Sequence, residues 1–167
     1  ALTDQLMRAI EAGGLSVPQI PIVNPPLWEL GHVGYFQEFW VHRHGSFSVP
    51  PALTGADQLY DSSRVHHATR WTLPLPDFVT TQQQVRATLE RTLESLDRGE
   101  PDERLAYFVQ LSLLHQDMHN EAFFYTCDTL GYPVDLPNPS SSTLFGFTGE
   151  ASDPGDVEIP GGRMPLG

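Results

Sequence analysis

Residues 101–133 read PDERLAYFVQLSLLHQDMHNEAFFYTCDTLGYP, and this stretch decides the fold. The proline and acidic residues at its start are typical of a helix N-terminus, while Gly131 and Pro133 are typical of the residues that follow a helix. Apolar residues recur at helical spacing between these signals. The stretch therefore predicts one long helix that ends at Leu130.

Three shorter segments before this helix have the same periodicity. They predict helices over about 3–12, 27–43 with Asn24 as its cap, and 80–98. The intervening residues 45–77 show no sustained period beyond a helical turn near 56–60. Four helices with polar outer faces predict an all-α fold, a four-helix bundle. The predicted apolar line of the third helix is Val85, Leu89, Thr92, Leu93 and Leu96.

Composition narrows the classes of function. The 167 residues contain 21 acidic and 9 basic side chains, a net charge of −12, so phosphate backbones and anionic bilayers are repelled. No apolar run approaches the roughly 20 residues that a membrane helix needs. The single cysteine, Cys127, excludes an intramolecular disulfide. We therefore expect neither a nucleic-acid nor a membrane partner, and a cytoplasmic location.

His115 and His119 are the first candidates for chemistry, because residues four apart project from one face of a helix. Two imidazoles in an apolar interior repel each other when protonated. When neutral, they leave ring nitrogens unpaired at roughly 1–3 kcal/mol per group, a cost that a shared cation removes. Taken alone, the pair supports a metal site no more strongly than the alternative, in which one histidine is a hydrogen-bonded core residue and the other is exposed. The apolar stripe around them is Phe108, Leu111, Met118 and Ala122.

His32 is the third candidate ligand. It lies in the aromatic second helix, with Trp28 one turn before it and Phe36 one turn after it. A solitary histidine on an apolar face is usually a satisfied core residue. Three inward-facing histidines on two helices that pack together favour a metal site, because bundle sites are built from facing helices.

The ligand type restricts the metal only loosely. Imidazole suits zinc, iron, copper and nickel, and three histidines leave positions open for substrate or water. Gln116 stands where zinc metalloproteases of the HExxH class have glutamate, so peptide hydrolysis is disfavoured. Asp117 and Glu121 flank the pair, and we expect both on the surface.

Two arginines in the irregular segment are candidates for substrate binding. If this loop covers the metal, Arg64 and Arg70 could bind an anionic or hydroxyl-rich substrate, although a structural salt bridge is the alternative for each. His42 and His44, at the end of the second helix, are predicted to cap it.

These motifs resemble a known family. Asn24-Pro-Pro-Leu-Trp-Glu-Leu-Gly-His32 and Leu114-His-Gln-Asp-Met-His119-Asn-Glu-Ala are similar to the DinB-like domain of ergothioneine-type sulfoxide synthases, which have a Trp-x-x-x-His helix and a later HxxxH. Val157-Glu-Ile-Pro-Gly-Gly resembles the start of the formylglycine-generating-enzyme-like domain that follows it. Tyr60-Asp-Ser-Ser-Arg64 and Arg70-Trp71 look most similar to the selenoneine synthase branch.

The resemblance implies a mononuclear non-haem iron(II), Fe(2+), held by His32, His115 and His119. It implies an enzyme that uses O2 to join a thiol or selenol donor to the imidazole C2 of hercynine, which is trimethyl-histidine. The donor is a selenosugar in the selenoneine branch and a cysteine-containing thiol in the others, and Arg64 and Arg70 are candidates by position to hold it. In the family the second domain supplies a catalytic tyrosine, so we expect the catalytic residues outside this chain.

The expected organisation is a DinB-like metal-binding bundle over 1–132, a linker over 133–155, and over 156–167 the start of the α+β domain, as a β-hairpin. The expected partner is the second domain of the same protein. Two alternatives remain open. A DinB-like zinc or nickel thiol transferase would use the same three histidines. A helical interaction module would satisfy them with backbone carbonyls and bind no stoichiometric metal.

Overall fold

The part of the chain that the structure describes is all-α, as predicted. A computed structural model describes residues 2–12, 14, 16–98 and 102–132. The α-helices of this part of the chain are α1 (Leu2–Ala12), α2 (Pro26–Gln37), α3 (Ala56–Tyr60), α4 (Phe78–Asp97) and α5 (Glu103–Leu130). The predicted linker, 133–155, and the predicted β-hairpin, 156–167, lie outside the described residues.

The helices pack around α2. This helix contacts both α4 and α5, and α1 packs against α5, which confirms the predicted helical bundle. Trp28, Leu30 and Val33 of α2 are almost fully buried. None of the helices in the described ranges is long and apolar enough to cross a bilayer.

The ends of α5 follow from its sequence. The side chain of Asp102 accepts a hydrogen bond from the backbone N–H of Arg104 and so satisfies one free donor of the first turn. Gly131 closes the helix in the left-handed conformation, with φ of 66°. The predicted end at Leu130 is confirmed.

The second helix differs from its prediction at both ends. Pro25 rather than Asn24 occupies the cap position, and Asn24 instead accepts a hydrogen bond from Arg70. The α-helix ends at Gln37 and continues as a wider π-helical turn over Glu38–His42. His42 does not cap this end, since its Nε2 lies 3.0 Å from the hydroxyl oxygen of Thr92 on α4.

The predicted buried line of α4 is correct for Thr92, which is 2% exposed, and wrong for its three leucines. Leu89, Leu93 and Leu96 are 46%, 52% and 44% exposed, while two threonines outside the predicted line, Thr81 and Thr88, are buried. Polar contacts explain this choice, because Thr92 accepts a hydrogen bond from the Gln37 side chain and donates one to its own helix. Met118 of α5 was also predicted to face inward and is 53% exposed.

A buried ion pair fixes α3 beside α2. The guanidinium of Arg43, only 1% exposed, donates two hydrogen bonds to the carboxylate of Asp57, at 2.6 and 3.0 Å. The hydroxyl of Tyr35 donates to the same carboxylate, at 2.9 Å. Hydrogen bonding by Arg43 keeps the pKa of Asp57 below its ordinary value. These contacts hold α3, and therefore Tyr60 at its end, in a defined position.

Gly31 allows Tyr60 to lie directly against α2. A Cβ atom at residue 31 would come within 2.2 Å of the Tyr60 ring, which is 2% exposed. The backbone carbonyl of Tyr60 in turn accepts a hydrogen bond from Nδ1 of His32, at 2.8 Å. The absence of a side chain at residue 31 therefore also determines how His32 is held.

We expect Gly31→Ala to destabilise the protein by about 1–3 kcal/mol, the usual cost of an overpacked core. Thermal and urea denaturation measure this change. Gly34→Ala is the matched control on the same helix, because its Cβ would meet Val85 instead of Tyr60, with a methyl group at 2.8 Å and the backbone Cα at 3.4 Å. Equal stability losses in the two variants would contradict the role assigned to the Tyr60 contact.

Candidate metal centre

Three histidines from α2 and α5 come together in the bundle. His32, His115 and His119 each offer one ring nitrogen, and these three atoms all lie within 4.8 Å of one another. The Nε2 atoms of His115 and His119 are 3.2 Å apart. Nitrogens bound to one cation at about 2 Å are separated by roughly 3 Å, so the distance between the His115 and His119 nitrogens is close to that of a bound site.

In two of these histidines, a hydrogen bond at the second ring nitrogen fixes the orientation of the ring. Nδ1 of His32 donates to the carbonyl oxygen of Tyr60, at 2.8 Å, and Nδ1 of His119 donates to Oε1 of Glu29, at 2.6 Å. Because both partners are acceptors, the ring protons lie on Nδ1 and both Nε2 atoms keep their lone pairs. Metal-binding histidines are commonly oriented in this way.

His115 is held by stacking. Its ring lies parallel to that of Phe36, with the centroids 3.6 Å apart and an angle of 7° between the planes. Its Nδ1 is buried and has no hydrogen-bond partner among the described residues. Its position therefore depends on the helical spacing from His119 and on the aromatic neighbour.

Burial disfavours the protonated form of His32 and His115. Burial lowers the pKa of His32 to about 4, although the hydrogen bond to Tyr60 opposes the shift. Burial, together with the neighbouring His119 and His32, lowers the pKa of His115 to about 3. Neutral imidazole is the form that binds a metal. The donor set, its spacing and its tautomers all fit a metal ion held by three nitrogens.

Glu29 is the important residue that the sequence analysis missed. It is 1% exposed, lies three residues before His32 on α2, and accepts a hydrogen bond from Nδ1 of His119. The available signal was an acidic residue inside an otherwise apolar helix, one turn from a candidate ligand. Asp117 and Glu121, which flank the histidines in sequence, are both exposed, as expected.

The two candidate arginines lie in different surroundings. The guanidinium of Arg70 lies over the Trp28 ring at 3.8 Å and donates to Asn24, and the Trp28 ring stacks on His32 at 4.8 Å. Arg64 is 54% exposed, and its Nε lies 3.2 Å from Oδ2 of Asp61. Arg70 thus reaches the cluster through Trp28, whereas Arg64 stays accessible to a ligand.

The fold and the site define a helical protein with a three-imidazole centre between two packed helices. The sequence profile of the DinB superfamily matches residues 1–121, and the chain belongs to this superfamily. The DinB-like part of the resemblance is thereby confirmed. The formylglycine-generating-enzyme-like start and the selenoneine branch stay predictions.

The chain is also similar to curated proteins named hercynine oxygenase. It is 30% identical over 153 residues to the one from Mycolicibacterium smegmatis, covering 88% of this chain and 34% of that protein. It is 29% identical over 102 residues to the one from Mycolicibacterium thermoresistibile, covering 60% of this chain and 23% of that protein. The protein of this name from Mycobacterium tuberculosis is 27% identical over 105 residues, 60% of this chain and 24% of its own length. The chain therefore spans about a third or less of the relatives that it matches.

Proposed function

We propose that this chain is the metal-binding domain of an O2-dependent non-haem iron(II) enzyme that forms a C–S or C–Se bond at the imidazole C2 of hercynine. The observation that carries the proposal is the set of three imidazoles, His32, His115 and His119, whose ring nitrogens converge. The similarity to proteins named hercynine oxygenase supports the substrate.

Iron(II), when bound, would supply the redox chemistry with O2 that imidazole side chains cannot provide. The chain's own residues orient and shield it. Glu29 and the Tyr60 carbonyl fix the ring protons of His119 and His32 on Nδ1, while Trp28 and Phe36 cover imidazole faces. A site with three protein ligands leaves positions open for substrates.

The proposed reaction balances without a further reductant. Hercynine loses the hydrogen on C2, the donor loses its S–H or Se–H hydrogen, and one carbon–chalcogen bond forms. Four electrons reduce O2, of which one oxygen atom leaves in water and the other stays on the sulfur or selenium. The two substrates supply all four electrons.

We further propose Arg64 and Arg70 as the residues that serve the donor. Arg64 is suited to direct contact with the anionic or hydroxyl-rich part of a thiol or selenosugar, because its side chain is 54% exposed. Arg70 is suited to a positioning role, because it packs on the indole that stacks on His32. We propose that the catalytic tyrosine comes from a second domain of the same protein. We also propose that the protein is located in the cytoplasm.

The test has two stages on the full-length protein. Elemental analysis after anaerobic purification should find about one iron per chain. The iron-loaded protein is then given hercynine, O2 and a panel of thiol and selenol donors, and the products are identified by mass. Iron-dependent consumption of hercynine with one donor supports the proposal and selects sulfur or selenium.

Other results would replace the proposal. Zinc or nickel in the protein, with transfer of a thiol and no use of O2, would assign it to the DinB-like thiol transferases. Folded protein that binds no metal would indicate an interaction module. The structure already disfavours satisfaction of the histidines by backbone carbonyls, because among them only His32 has such a bond within the described part of the chain.

A further inference from the structure

One face of α5 carries large apolar side chains that are exposed to solvent. Four of them are between 44% and 62% exposed: Tyr107, Leu114, Met118 and Tyr125. They belong to a row with alternating spacings of three and four residues, which we call the α5 seam: Arg104, Tyr107, Leu111, Leu114, Met118, Glu121, Tyr125 and Asp128. This alternation is the heptad pattern by which two helices pack against each other.

The bundle uses a different side of α5. The helix packs against α1 and α2, and its buried residues are Ser112, His119, Asn120, Ala122, Phe123, Thr126 and Cys127. None of these belongs to the α5 seam. A continuous row of exposed apolar side chains along a helix is typical of an interaction surface.

The order of residues along the seam suits a second copy of the same helix that runs in the opposite direction. Residues equally distant from position 116 form three complementary pairs: Tyr107 with Tyr125, Leu114 with Met118, and Arg104 with Asp128. In an antiparallel pair of identical helices centred on this position, each of these residues meets its counterpart on the other copy. We propose that the α5 seam is the interface of an antiparallel homodimer of this chain.

Charge selects the antiparallel direction. Arg104 and Asp128 are exposed at opposite ends of the seam, about 36 Å apart at 1.5 Å per residue, so they cannot pair within one copy. A parallel dimer would place like charges together at both ends. An antiparallel dimer places each arginine beside the aspartate of the other copy. In a single copy, the Arg104 guanidinium donates a long hydrogen bond, at 3.4 Å, to the neutral carbonyl oxygen of His44, which leaves its charge available.

One position of the seam opposes association. Glu121 is exposed, and in the proposed pairing it meets Leu111 of the second copy. A carboxylate covered by an apolar side chain loses water without gaining a hydrogen bond. A helix pair of this length also lies at the small end of protein interfaces, below about 1,200 Å² in total, so we expect a dissociation constant of about 1–100 μM.

Analytical ultracentrifugation of the 167-residue chain tests the dimer between about 1 and 300 μM. The salt concentration is about 0.15 M, so that the net charge of −12 on each copy is screened. We expect the mass to rise from 18.6 kDa towards twice that value. A chain that stays monomeric over this range would overturn the proposal, and the seam would then be a surface for another domain or protein.

Two adjacent leucines provide a matched pair of variants. Leu114 lies at the centre of the seam and is 62% exposed, whereas Leu113 is 56% exposed and lies outside the seam. We expect Leu114→Glu to weaken the dimer more than about 30-fold, because it places a charge in the apolar centre, and Leu113→Glu to change it less than about twofold. Equal effects of the two substitutions would overturn the assignment to this face.

Reversal of the end charges tests the direction. Arg104→Asp and Asp128→Arg should each weaken the dimer about five- to tenfold, and the double variant should return to within about twofold of the parent chain. Both changes suit the helix dipole, since an acid enters the first turn and a base the last, so the variants should fold. Asp97→Arg, exposed on α4, is the control for net charge. A double variant as weak as the single variants would overturn the antiparallel pairing.

A gain of affinity provides an independent test. Glu121→Leu should strengthen the dimer about tenfold, because it completes the apolar layer with Leu111 of the second copy. Glu90→Leu makes the same change at an exposed position of α4 and should leave the dissociation constant unchanged. Equal strengthening by both substitutions would indicate general adhesion and overturn the seam. Circular dichroism checks that each variant keeps its helices.

Discussion

Replacing His115 with alanine should abolish stoichiometric metal binding. The three ring nitrogens lie within 4.8 Å of one another, and two histidines without the third cannot enclose the ion. We expect the affinity to fall by more than the roughly 10- to 100-fold that loss of an outer-sphere partner costs. Elemental analysis after anaerobic reconstitution with iron(II), and competition with a chromophoric chelator, measure this loss.

The control is His66→Ala, because His66 is exposed and does not belong to the cluster. Circular dichroism of both metal-free variants checks that the helices remain. The His115 variant should stay folded, since Nδ1 of this ring is buried without a hydrogen bond and stabilises nothing by itself. A folded His115→Ala protein that binds metal as tightly as the parent protein would eliminate the three-histidine site.

The second large effect is expected for Glu29→Gln. The carboxylate accepts the Nδ1 proton of His119 at 2.6 Å, and its negative charge increases the basicity of the other ring nitrogen. An amide oxygen can accept the same proton, but the charge is lost. We expect metal affinity to fall about 10-fold in Glu29→Gln and up to about 100-fold in Glu29→Ala.

Glu38→Gln is a matched control for this change. Glu38 is also a buried glutamate, 6% exposed, but it accepts a hydrogen bond from the backbone of Ala52 and does not contact the histidines. Chelator competition, and the visible absorption of the cobalt(II)-loaded protein, report on the metal environment independently of turnover. If the two glutamine variants gave the same affinity and spectrum, Glu29 would have no role in positioning His119.

Local spacing was sufficient for much of the fold. The cap at Asp102 and the left-handed Gly131 fix the two ends of α5 through local sequence alone. The spacing of His115 and His119, four residues apart, likewise places them one turn apart on this helix. These features depend on contacts between residues a few positions apart. The sequence therefore predicted the helices, and with them the candidate histidines, without knowledge of their packing.

Packing decided which side of α4 is buried. Periodicity placed Thr92 correctly on the buried side, but it also placed Leu89 and Leu93 there, whereas the structure exposes both leucines and buries Thr88. Thr92 meets Gln37 and His42 at the end of α2, and those partners cannot be identified from α4 alone. A periodic pattern gives the helix, whereas the neighbouring element determines which of its faces is covered.

By its own local rules, the sequence determined an all-α chain and three histidines on two helices. Only the tertiary structure joined Glu29 to His119, across 90 positions, and the carbonyl of Tyr60 to His32, across 28. Helix geometry acts between near neighbours and can be derived from spacing. The orientation of each imidazole depends on hydrogen bonds between distant residues, which form only when α2, α3 and α5 pack together.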